Sequence, residues 1–137
     1  MKVAFYKGKK RLFNKLTSWW LRGEYSHCEL VLEELDKGSL CVSSSFMDGG
    51  VRIKVIKLDP SNWDMIEVDT DYYHISDWLI KNENTKYDTL GLFSFLARVF
   101  KQDKTRWFCS EAVADMLKFE DSWRFDPCNL YAALSRK

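Results

Sequence analysis

Between Tyr25 and Leu58 the chain alternates with a period of two. YSHCELVLEE, LCVSSSF and VRIKVIKL each change side-chain character from one residue to the next, and Asp36-Lys37-Gly38 and Asp48-Gly49-Gly50 separate them. Successive side chains of a strand point to opposite faces. His27, Glu29 and Val31 therefore share one face, and Cys28, Leu30 and Leu32 share the other. Short glycine-bearing turns join neighbouring strands antiparallel. The spacing predicts a hairpin of residues 25–34 and 40–46, continued by a half-exposed strand over 51–58. Asp59-Pro60-Ser61-Asn62 breaks the pattern, and a further strand is expected over 63–68. Val3-Ala4-Phe5-Tyr6 reads as a short first strand.

Elsewhere the period is helical. Leu12, Phe13, Leu16, Trp19 and Trp20 recur at helix spacing within 11–22, with Gly23 as a stop signal. Ser76 is expected to cap a helix through Asp77-Trp78-Leu79-Ile80, which leaves His74 in the loop before it. Residues 87–100 (YDTLGLFSFLARVF) are apolar on most sides and predict a buried segment. Asp126-Pro127 is an N-cap followed by proline at the first helical position, opening a last helix over 129–134. No repeat, low-complexity run or linker divides the 137 residues. One α+β domain over 1–137 is expected, an antiparallel sheet packed against helices.

The net charge is +1, which argues against a globally basic nucleic-acid binder. The charge is uneven, however: residues 1–23 hold seven cations and no acid before Glu24. A solvated helix face is one reading of this stretch. The other is a peripheral contact with an anionic membrane surface. Four cysteines and two histidines form no CxxC pair or other short metal-ligand spacing, so no metal or other cofactor is expected. The N-terminus lacks the apolar core of a signal peptide, and no apolar run approaches membrane-spanning length. Free thiols in a reducing cytoplasm follow as the expectation.

The stretch Arg106-Trp107-Phe108-Cys109-Ser110-Glu111-Ala112-Val113-Ala114-Asp115-Met116-Leu117 carries the chemistry. Ala112, Val113, Met116 and Leu117 recur on one helical face, which puts Cys109 at the helix N-terminus. There the helix dipole and free N–H groups favour thiolate over thiol. Acyl transfer by cysteine also needs a histidine to hold and pass the proton. His27, at the start of a strand, is the better-placed candidate; His74 reads as a surface or packing residue. Two readings without catalysis stand beside this one. One is a binding module using the same cleft, and the other a metal-binding or interaction protein using His27, Cys28 and Cys41.

Several segments resemble one family. Leu16-Thr17-Ser18-Trp19-Trp20 followed by Tyr25-Ser26-His27-Cys28-Glu29-Leu30-Val31 is similar to the histidine motif of permuted papain-like cysteine hydrolases, the circularly permuted members of the NlpC-type peptidase superfamily. Trp107-Phe108-Cys109-Ser110-Glu111 resembles their FxCSE cysteine motif, and Tyr87-Asp88-Thr89-Leu90-Gly91-Leu92 the segment before it. Pro127-Cys128-Asn129-Leu130-Tyr131 resembles their PxDL helix start. The compact form, with Asp48-Gly49-Gly50-Val51-Arg52 after the second strand, looks like small bacterial and bacteriophage members.

The resemblance implies a circularly permuted papain-like fold, Cys109 as nucleophile, His27 as base, and a peptide or acyl substrate. Members of the family usually place a third polar residue, often glutamate, on the strand after the histidine. Here that strand reads Val42-Ser43-Ser44-Ser45 and offers no acid. Ser44 is the first choice to accept from the imidazole and Ser43 the second. Glu29 shares the face of His27, but residues i and i+2 of one strand project side by side. On that ground a solvent-facing or groove-edge carboxylate is the preferred reading of Glu29, with orienting the ring as the other option.

Overall fold

A computed structural model describes residues 1–8, 23–45, 47–82, 86–87 and 106–136. Their strands are β1 (Lys2–Tyr6), β2 (His27–Leu35), β3 (Gly38–Ser45), β4 (Gly50–Ile56), β5 (Trp63–Glu67), β6 (Lys86–Tyr87) and β7 (Arg106–Trp107). Their helices are α1 (Tyr72–Asn82), α2 (Cys109–Met116) and α3 (Pro127–Leu134), with one 3-10 turn at Ser122–Arg124. The class is α+β. The helix expected over 11–22 and nearly all of the buried segment expected over 87–100 lie outside the described residues.

All the strands form one sheet in the order β5-β1-β2-β3-β4-β6-β7. Pairing is antiparallel throughout, apart from the parallel β6–β7 pair. The β2–β3 hairpin and its continuation into β4 follow the alternation of the sequence. Gly38, at φ +147°, and Gly49, at φ +82°, occupy the two turns, in backbone conformations that a side chain disfavours.

Alternation along β2 divides the interior. On one face Cys28 and Leu30 join Val3, Phe5, Val42, Ile75, Trp78, Val113 and Leu130 in the main core, where α2 packs against β2 and β3. On the other face Ala4, Val31 and Cys41 make a smaller cluster against Ile56, Leu58 and Trp63. Helix α1 begins earlier than Ser76. Asp71 opens it, accepting from the Tyr73 N–H at 3.0 Å through its carboxylate and from the Ile75 N–H at 3.1 Å through its carbonyl. His74 is therefore helical, in the first turn of α1. Asp126 caps α3 by accepting from the Asn129 N–H at 2.8 Å, with Pro127 at the first position. No helix among the described residues is long and apolar enough to cross a membrane.

Candidate active site

The segment around Cys109 is tied down on both sides. Phe108 is extended (φ −82°, ψ 154°), so α2 starts at Cys109 itself. Just before it, the Trp107 carbonyl accepts from Ser44 Oγ at 2.6 Å, and the Trp107 indole N–H donates to Asn82 Oδ1 at 2.8 Å. Just after it, Ser110 Oγ donates to the Phe125 carbonyl at 2.6 Å. Glu111, in the first turn, accepts from the Phe108 N–H at 3.3 Å. Residues 107–114 are all buried. The first backbone N–H groups of a helix have no partner within it, so Cys109 stands at a locally positive end.

His27 is the first residue of β2, opposite Tyr6. Tyr6 packs on Trp63 at 4.9 Å between ring centroids, and the Trp63 ring meets the imidazole at 6.4 Å and a steep angle. His27 Nε2 lies 2.6 Å from Glu29 Oε1. That leaves Nδ1 as the nitrogen free to face a thiol. The Cys109 sulfur interacts electrostatically with the imidazole and with Cys28.

Charge follows from these contacts. Burial alone would push the Cys109 thiol up. The hydrogen bond from the Cys28 thiol, the positive imidazole and a Cys28 backbone hydrogen bond outweigh burial and hold it at about 5. Burial alone would push His27 down; the facing Cys109 thiolate and the Glu29 carboxylate raise it to about 10. At neutral pH the pair is therefore thiolate and imidazolium.

Glu29 is fully buried, and burial works against its charge. Hydrogen bonds from Arg52 and the charge of His27 prevail and keep its carboxyl below the usual range. Arg52 Nη1 donates to Glu29 Oε2 at 2.6 Å and Nη2 donates to Glu29 Oε1. The rest of the guanidinium is used too: Nε donates to Asp48 Oδ2 at 2.9 Å, and Lys54 Nζ donates to Asp48 Oδ1 at 3.0 Å. Hydrogen bonding to Arg52 draws the Asp48 carboxyl down to about 2. The sheet sets up this reach. Arg52 of β4 pairs with Ser43 of β3, and Glu29 lies on β2 beyond it. Ser43 is small and fully buried, and its hydroxyl turns away to donate to the Cys28 carbonyl at 2.7 Å.

The structure thus brings Cys109 and His27 together and assigns the serines other work. Ser44 does not orient the imidazole, because its hydroxyl is committed to the Trp107 carbonyl. Ser43 does not either, because its hydroxyl is committed to Cys28. The partner of the ring is Glu29. Residues i and i+2 of a strand stand about 6.6 Å apart along the backbone, and two long side chains leaning together close that gap. Arg52 and Asp48 were not foreseen. The available signal was an arginine at an inward position of an otherwise lysine-bearing strand, next to a turn aspartate.

Cys28 and Cys41 belong to clusters on opposite faces of the sheet, so His27, Cys28 and Cys41 do not converge. Among the described residues no group of three or more metal-ligating side chains gathers to hold an ion. Most of the basic stretch within 1–23 lies outside the described residues. Compared with known proteins, the chain matches no protein-family model and no curated protein.

Proposed function

We propose that the protein is a cysteine hydrolase acting by acyl transfer, with a circularly permuted papain-like fold. The observation that carries this reading is the Cys109 thiol at a helix N-terminus, near an imidazole whose Nε2 is bound to a buried carboxylate, an arrangement that lowers the thiol's pKa. Cys109 attacks an acyl carbon. The backbone N–H of Cys109, at the open end of α2, helps to hold the oxyanion. The imidazolium of His27 gives its proton to the leaving group and then takes one from the water that releases the thioacyl enzyme. Glu29 holds the ring in one orientation and stabilises its positive form, as an acid does in other nucleophile–histidine sites. It supplies the carboxylate from the histidine's own strand, where the family usually draws it from the next.

The bond cleaved is an amide, ester or thioester. A peptidoglycan peptide amide is the first substrate class to assay and an acyl lipid the second. The test begins with the thiol. The ultraviolet absorbance of the thiolate should titrate near pH 5 in the wild type, vanish in Cys109→Ala and move toward about 8.5, the ordinary thiol value, in His27→Ala. Acyl-probe labelling should fall as the pH drops through about 5, because the thiolate is protonated. Hydrolysis should fall again as the pH rises through about 10, because the imidazolium loses its proton. Turnover that survives Cys109→Ala would sink the proposal.

A further inference from the structure

Cys28 has no part in that mechanism, yet it shares the core between α2 and β2 with Cys109, and the two thiols interact. Both cysteines are free and buried, at 0% and 1% exposure, within one core where α2 packs on β2. The other two thiols are engaged elsewhere. Cys41 donates to the Ser39 carbonyl at 3.4 Å on the opposite face of the sheet. Cys128 donates to the Tyr25 carbonyl at 3.5 Å. A reactive thiol with a second thiol beside it in the same core is the arrangement in which oxidation can end in a disulfide, before sulfur takes up further oxygen.

We propose that Cys109 is a peroxide-modification site and that Cys28 is its resolving cysteine, so that oxidation locks the site as a Cys28–Cys109 disulfide. The proposal rests on the nucleophilic role given to Cys109 above. The Cys109 thiolate attacks one oxygen of hydrogen peroxide. An S–O bond forms, the O–O bond breaks, and the hydroxide that leaves takes a proton to become water. The Cys28 sulfur then attacks the sulfenic sulfur of Cys109. An S–S bond forms, the S–O bond breaks, and the departing hydroxide carries off the Cys28 proton as a second water. The two sulfurs together lose two electrons and the peroxide gains them. Burial keeps the Cys28 thiol well above its usual range, so it stays protonated and waits as the second reactant rather than the first. Hydrogen peroxide has two heavy atoms and needs less opening than any acyl substrate. The locked form has no free nucleophile, and a dithiol restores it.

The full chain is treated with hydrogen peroxide and analysed by peptide mass spectrometry, with iodoacetamide labelling of Cys109 measured first on the untreated protein. Wild type is expected to give a Cys28–Cys109 cross-linked peptide, lose acyl-probe labelling at least tenfold and recover both on treatment with dithiothreitol. Cys28→Ser is expected to carry sulfinic acid on Cys109 and to stay unlabelled after dithiothreitol. Should wild type reach the sulfinic acid as fast as Cys28→Ser, or should Cys109 pair with Cys41 or Cys128, the resolving role is overturned while the nucleophile stands. A Cys109 that resists iodoacetamide and peroxide alike overturns the hydrolase reading together with this one.

Discussion

The two faces of β2 carry opposite kinds of chemistry one residue apart. Leu30 enters a core of aliphatic and aromatic side chains, whereas its neighbour Glu29 enters a row of charges. Burial does not distinguish them, since each is 0% exposed. What distinguishes them is what they meet. Leu30 is stabilised by apolar area removed from water, a force without direction. Glu29 as a lone buried charge would be strongly unfavourable, and it is held there because Arg52 and His27 hydrogen-bond its oxygens. The first kind of contact tolerates change of shape and fails through cavities. The second tolerates almost no change of charge and fails through a missing partner.

The sharpest way to break this contrast is to exchange the two losses. Glu29→Gln keeps the volume and removes the charge. On the proposed mechanism turnover should fall by on the order of 10³- to 10⁴-fold, the scale seen when the acid of a nucleophile–histidine pair is neutralised. Leu30→Ala should lower stability by about 2–5 kcal/mol in urea unfolding while leaving kcat of the folded fraction within a few-fold. A Glu29→Gln variant with near-normal turnover would place the carboxylate outside the proposed chemistry.

A weaker perturbation is to loosen Glu29 without removing it. Arg52→Ala should lower kcat by roughly 10- to 100-fold, in line with the roughly 1.5–3 kcal/mol of a charged hydrogen bond, and raise the pH at which Cys109 titrates, since the carboxylate then holds the imidazole less firmly. Arg52→Lys should recover part of the loss, because a lysine supplies the charge but not the two-pronged geometry. Equal defects in Arg52→Ala and Arg52→Lys would mean that geometry alone matters.

The smallest effect is expected at Ser44. Its hydroxyl serves the Trp107 carbonyl, so Ser44→Ala should cost about 1 kcal/mol of stability and leave the pH profile of turnover in place. A profile shifted by that substitution would return Ser44 to the imidazole.

These contrasts track what the sequence made legible. The strands over 2–67 could be read because alternation and glycine turns are local signals, and the start of α2 because its apolar period is local too. His27 and Cys109 were found by residue type and by the kind of element that each begins. Glu29 falls on the right face in the sequence pattern, but backbone direction alone does not show that its side chain reaches the ring. Arg52 escaped because its partner lies two strands away, across Ser43. That distance is created by the fold and leaves no mark on the spacing of either strand. The start of α1 was misplaced for a simpler reason: Asp71 and Ser76 are both good caps, and the choice between them depends on how Ile75 and Trp78 are buried.

Cys109, His27, Glu29, Arg52, Asp48 and Lys54 follow one another as anion and cation in strict alternation. For sequence drift this ordering has a direct consequence. Loss of any interior member sets two like charges side by side, so single substitutions there meet resistance from both neighbours. Asp48 and Lys54, at the solvent end, can leave together and the alternation survives. Variation across a lineage carrying this site should therefore enter at Asp48 and Lys54, as a matched pair, and thin out toward the thiol.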